Sequence, residues 1–168
     1  MGGEVDRVRA LGVHAASDVL WFAAAEPDGT LIDLGNAYRL DLPKGLDTGQ
    51  ALIVARKDIC RVLRAYDIGL VWLLSAEYDK RFKQGYHALV PRITMETVVA
   101  FAAAEEDVEF RRVARETVRS RLGYDSGKLQ DIAVDLVPEK ITPNWGPNKR
   151  DLAVATVLAA LSELEDSQ

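Results

Sequence analysis

Soft metal ligands and reactive thiols are nearly missing from this chain. Its 168 residues include one cysteine, Cys60, two methionines and two histidines, His14 and His87. A lone cysteine excludes an internal disulfide framework and fits a reducing, cytoplasmic setting. Cys60 lies inside an amphipathic helical pattern, which reads as a buried structural thiol. No Cys/His zinc cluster is present. Long apolar runs are also lacking: Val98 to Ala104 is far too short to span a membrane, and Met1 to Arg7 does not have the basic-then-apolar order of a signal peptide. Nor is there an excess of positive charge. Lys and Arg number 21 against 26 Asp and Glu, for a net charge of −5, so any nucleic-acid contact must use a local patch. Glycine-rich phosphate loops and nucleophile elbows do not occur, which removes two large enzyme classes. His87 has no Ser or Cys nearby in sequence and reads as an exposed loop residue.

What remains is the composition of an ordinary globular protein, 48% hydrophobic and 28% charged. The length suits one domain with a real core, and no repeat or linker divides residues 1–168. A short strand from Arg9 to Val13 is expected first. Val19 to Ala25 follows as a strand apolar on both faces, then the turn Glu26-Pro27-Asp28-Gly29. Thr30 to Leu40 is a third extended segment, interrupted near Gly35-Asn36, giving an antiparallel meander. Thr48 is set to cap a helix from Gln50 to Tyr66, with Leu52, Ile53, Ile59, Val62 and Leu63 on one side and Lys57, Arg61 and Arg64 on the other. Ile68 to Leu74 predicts a central strand. Ser75 to Pro91 reads as a mobile polar loop, and a helix from Ile93 or Thr94 reaches Ala104 or Glu105. Asp107 to Val113 alternates like an edge strand. Short helices then run from Arg115 to Leu122, closed by Gly123, and from Ser126 to Val137, closed by Pro138. After the loop Pro143-Asn144-Trp145-Gly146-Pro147, a last helix begins Asn148-Lys149-Arg150-Asp151, with its Asp suited to the helix N-terminus.

This order predicts an α/β fold with a mixed five-stranded sheet, three antiparallel strands then two parallel, flanked by helices. It resembles the ribonuclease H-like fold. The text from Val108 to Val113, Ala114 to Gly123, Lys128 to Val137 and Asn148 to Leu161 resembles in particular the RuvC-type Holliday-junction resolvases. Ala10-Leu11-Gly12-Val13-His14-Ala15-Ala16-Ser17 stands where that family has a Gly-Ile-Asp-Pro-Gly-Ser strand end. The resemblance implies a carboxylate cluster holding two divalent ions, Mg²⁺ or Mn²⁺. Carried over, Asp151 matches the last carboxylate, and Asn148 stands where another Asp is frequent. His14 takes the place of the essential Asp, and Trp72 or Leu73 the place of a Glu. The implied site is degenerate. His14 would suit Zn²⁺ or Mn²⁺ better than Mg²⁺, although a single His at a strand end is ordinarily structural.

Three functions follow as expectations. The first is a catalytically silent domain that binds DNA or RNA, branched or single-stranded, or a protein that processes it. Arg111, Arg112, Arg115, Arg119 and Arg121 would supply one basic surface. Lys80, Arg81 and Lys83, interleaved with Tyr78, Phe82 and Tyr86, would supply another. The alternative for the first group is a solvated face balanced by Glu109 and Glu116. The second is a working metal-dependent nuclease whose carboxylates have moved, with Asp18, Glu77 or Asp79 joining Asp151. The third is a protein-interaction or dimerisation module using Met95, Val98, Val99 and Phe101. Those four suit packing on the sheet equally well.

Overall fold

The computed structural model describes residues 8–16, 19–76, 86–137 and 149–166; of 86–88 and 149 the backbone alone is described. Six strands form one sheet: β1 (Arg9–Ala16), β2 (Val19–Ala25), β3 (Leu31–Ile32), β4 (Arg39–Asp41), β5 (Ile68–Leu74) and β6 (Glu109–Val113). The helices are α1 (Thr48–Ala65), α2 (Tyr86–Glu105), α3 (Arg115–Arg121), α4 (Leu129–Leu136) and α5 (Lys149–Asp166). The sheet order is β3-β2-β1-β5-β6, with β4 also on β2. β1 and β2 are antiparallel, whereas β5 runs parallel to both β1 and β6. This is the expected α/β arrangement. Parallel strands must be covered on both faces, and the continuous apolar run of β5 is what that demands.

Strand alternation divides the core in two. Leu11, Val13 and Ala15 of β1 join Val71 and Leu73 of β5 on the face covered by α1 and α2. Ala10 of β1 with Leu70, Trp72 and Leu74 of β5 lie on the other face, under α5. Gly12 marks how tightly α5 presses down. A Cβ there would stand 2.8 Å from the Val157 nitrogen and closer still to the Ala153 carbonyl oxygen. The small residues Ala153, Ala155, Ala159 and Ala160 make α5 narrow enough for this approach, and all four are buried.

The differences from expectation have local causes. β1 continues to Ala16 because it pairs with β2 from Ala10 through Ala16. The third extended segment resolves into β3 and β4, separated by a 3-10 turn over Gly35–Tyr38 that begins with Gly35 at φ 58°. Asp47, not Thr48, caps α1: its side chain accepts from the Gln50 amide at 2.8 Å, while Thr48 is the first helical residue. α2 begins at Tyr86, so the end of the expected loop is helical and Pro91 lies inside it. Pro91 is near enough the start to forfeit one helical hydrogen bond without ending the helix. The fourth helix starts at Leu129 rather than Ser126. Within α2, Met95, Val98 and Val99 face the sheet, whereas Phe101 is 62% exposed. Only Phe101 of the four expected dimer-face residues therefore points outward. Cys60 is buried, as its helical setting led one to expect, and no described helix is long and apolar enough to cross a membrane.

Candidate active-site edge

His14 stands near the C-terminal end of β1, opposite Trp21 of β2 and Leu74 of β5. Alternation puts it on the same side as Ala10 and Gly12, under α5. Gly12 meets Ala153 and Val157, while Arg111, on the far strand, reaches Glu163 near the other end of the helix. α5 packs along β1, and Arg150 in its first turn reaches Tyr38, which packs on Trp21, the strand partner of His14; the first turn therefore lies over the strand end that carries His14. That turn brings Arg150 and Asp151. His14 is 5%, Asp151 5% and Arg150 2% exposed.

The guanidinium of Arg150 lies 4.9 Å from the centre of the Tyr38 ring. Burial draws its pKa below the ordinary value, while Tyr38, Asp33 and Asp151 act in the opposite direction. Tyr38 belongs to the 3-10 turn and tilts against Trp21, with ring centres 6.1 Å apart. Arg39 covers Trp21 at 5.0 Å and pairs with Asp41 at 2.8 Å. Two packed rings, Trp21 and Tyr38, flanked by Arg39 and Arg150, thus lead from the surface to the first turn of α5.

A second carboxylate reaches this edge from the opposite face. Glu96 of α2 is 1% exposed. It accepts from the Ala76 amide just past β5, at 3.3 Å, and from Arg112 at 3.2 Å. Arg92, one turn earlier, donates to the carbonyl of Ala15 at 3.0 Å. Burial pushes the Glu96 carboxyl above its usual range; the Ala76 amide, Arg112 and Arg92 pull it back. The expectation from sequence missed Glu96. Its signal was there: Arg92 and Glu96 stand four apart, on one face of a helix with almost no other charge.

The other expected residues distribute as follows. The β5 register sets Trp72 opposite Gly12 and Leu74 opposite His14, so Leu74 is the β5 residue level with His14. Leu73 belongs to the other core. Trp72 is 2% exposed with Arg111 over its ring at 5.1 Å. Arg111 and Arg121 share Glu163, at 2.6 and 3.1 Å. Arg112, adjacent in sequence, turns to Glu96 on the opposite side. Arg115 and Arg119 lie part-buried one turn apart on α3. Asp18, Glu77, Asp79, Asn148, Lys80, Arg81 and Lys83, together with Tyr78 and Phe82, lie outside the described residues, as does the side chain of His87.

Among the described residues, no three of His, Cys, Asp and Glu converge as a metal would require. His14 and Asp151 share their edge with a buried cation. Among the described residues, that donor set falls short of the several converging carboxylates that a pair of divalent ions needs.

No protein-family model matches the chain, and no curated protein sequence does. Solved structures do. RuvC of T. thermophilus in complex with a Holliday junction substrate superposes with a TM-score of 0.74 at 12% identity, covering 95% of this chain and 96% of that one. The Thermus thermophilus RuvC structure gives 0.74 at 14% identity, with the same coverage. A yeast mitochondrial Holliday junction resolvase gives 0.63 at 10% identity, over 93% of this chain and 78% of that one. With the mixed sheet, the flanking helices and a last helix laid across β1, the chain has the ribonuclease H-like fold in the form seen in RuvC-type resolvases.

Proposed function

We propose that this is a catalytically silent RuvC-fold domain that binds branched or single-stranded DNA or RNA, alone or with a protein that processes it. The observation that carries the reading is the buried Arg150 guanidinium beside Asp151 at the end of β1. Hydrolysis by two ions concentrates negative protein charge so that metal and phosphate can meet. Among the described residues, that position holds His14, Leu74 and the carboxylate of Asp151, with the buried Arg150 next to it in sequence. The likeness to a resolvase seen with a Holliday junction supports nucleic acid as the ligand class. Arg115 and Arg119, with Lys80, Arg81 and Lys83, are the cations assigned to phosphate contact. Arg111 and Arg112 are already engaged by Glu163 and Glu96.

Fluorescence anisotropy with a labelled four-way DNA junction, a single strand and an RNA hairpin tests this. Binding should weaken by about tenfold or more between roughly 50 and 200 mM salt, and Arg115→Ala with Arg119→Ala should weaken it further. Incubation with Mn²⁺ should leave every substrate intact. Cleavage that is lost in Asp151→Ala would instead establish the nuclease reading, in which Asp18 and Glu77 complete the site with Mg²⁺ or Mn²⁺.

A second reading, homodimerisation, is favoured by one observation. On the outer face of α2, Val90, Ile93, Thr97 and Phe101 follow one another at helical spacing, and Glu105 ends the stripe, paired with Arg56 at 3.2 Å. Ile93 is 48% and Phe101 62% exposed. With Leu52, Ile53 and Arg56 of α1 they border a groove of about 390 Å³. A helix apolar on both sides is ordinarily covered on both. The two readings are compatible, since dimerisation would leave the α5 edge untouched.

A further inference from the structure

We infer that Trp21 and Arg39 form a stacking platform for one unpaired base of a single-stranded nucleic acid. The inference rests on the nucleic-acid reading and names the part of the ligand that meets the β2 and β4 side of the edge. Val113, Leu74, His14, Trp21 and Arg39 are successive cross-strand neighbours from β6 to β4, so they share one face of the sheet. Along that row the cover runs out. Val113, Leu74 and His14 are 3%, 1% and 5% exposed, Trp21 is half-buried, and the Arg39 side chain is 42% exposed. The row that crosses the buried edge therefore opens to solvent on a ring and a guanidinium.

Both groups are held in place. Arg39 donates to Asp41 from Nε, at 3.1 Å to each carboxylate oxygen, and from Nη2 at 2.8 Å. Such a fork fixes the orientation of a guanidinium, and this one lies 5.0 Å from the centre of the Trp21 ring. Tyr38 supports the same ring from 6.1 Å. The chemistry favours a base over a phosphate. Arg39 and Asp41 together carry no net charge, and the carboxylate repels an anion. What they offer with Trp21 is flat surface, and nucleobases stack both on aromatic rings and on guanidinium planes. Nor does the indole sit as packing alone would place it. A buried indole N–H ordinarily finds an acceptor, but Trp21 Nε1 is buried and has none among the described residues. A phenyl ring would fill this margin of the core without an orphaned donor; the indole supplies the broader face.

Fluorescence anisotropy over a salt series compares a labelled oligothymidine strand with the same strand carrying abasic sites, for wild type, Arg39→Ala and Trp21→Leu. Wild type should bind the base-bearing strand about tenfold tighter, as one stacked base allows. Each variant should lose about fivefold or more of that preference, with abasic-strand affinity and the salt slope unchanged. Arg39→Ala changes an exposed side chain, and it decides alone should Trp21→Leu fail to fold. A wild type without the preference, or a preference intact in either folded variant, would overturn the platform. So would an equal loss on both strands with a salt slope smaller by about one, which would make Arg39 a phosphate contact. Each of these results leaves the nucleic-acid reading standing. A protein that binds neither strand nor the four-way junction at low salt would overturn that reading and the platform together.

Discussion

Glu96 gives the clearest titration in the molecule. Its carboxyl is pushed above the ordinary 4.5 chiefly by burial, so the native state holds this proton more tightly than the unfolded chain does. Its favourable contribution is then complete below about pH 4.5 and is lost as pH rises through the native value. Glu96→Gln keeps the shape and removes the titration. Its Tm should gain on that of wild type as pH goes from about 4 to about 7, read by scanning calorimetry. A gap that stays constant across that range would refute the burial argument. Gly12 makes a second residue-scale test. Gly12→Ala drives a methyl into the α5 backbone, and overpacking of this kind should cost about 3 kcal/mol in urea unfolding. Cys60, buried with its Sγ directed at the Ala102 carbonyl and its thiol pushed up by burial ahead of Glu106 and Glu105, should resist iodoacetamide until the fold opens. At this scale the sequence revealed positions better than partners. Asp151 at a helix start and His14 at a strand end were both legible. Their shared edge depends on α5 crossing β1, and that contact spans most of the chain. Arg150 was passed over because local sequence cannot say which of three charged neighbours, Lys149, Arg150 and Asp151, turns inward.

Among the elements, β2 and β5 match their expected limits to the residue. Both are continuous apolar runs bounded by polar residues, and burial on two faces leaves little freedom over where they stop. α2 was misjudged at its start. Pro91 and the polar stretch before it argue against helix locally, but packing of the inward stripe against the sheet overrides them. That packing also separates Met95, Val98 and Val99 from Phe101. Phe101→Asp changes a side chain 62% exposed, so its effect on stability should fall within about 0.5 kcal/mol. If α2 forms the dimer face, sedimentation velocity should show wild type as a dimer and Phe101→Asp as a monomer. A wild type that sediments as a monomer at high concentration would remove the dimerisation reading without touching the nucleic-acid one.

For the whole molecule, the order of elements carried more than any motif did. Three antiparallel strands, a crossover helix, a central strand and a helical second half imply the mixed sheet. The likeness to RuvC-type structures at 10–14% identity shows how little of that order depends on particular side chains. A net charge of −5 with cations gathered on a few surfaces means that nucleic-acid binding would be local and strongly salt-dependent.

The crossing of β1 by α5 has a consequence in time. The first strand of the sheet and the helix that covers it come from opposite ends of the described chain. During synthesis at roughly 5–20 residues per second, the α1 and α2 side can close while the other side of β1 and β5 waits many seconds for its lid. Ala10, Trp72 and Leu74 are then wet and adhesive until the last helix emerges. A ribosome stalled before Lys149 should display a half-clothed sheet that trigger-factor-like chaperones hold and proteases cut, and release of the remaining residues should extinguish both at once.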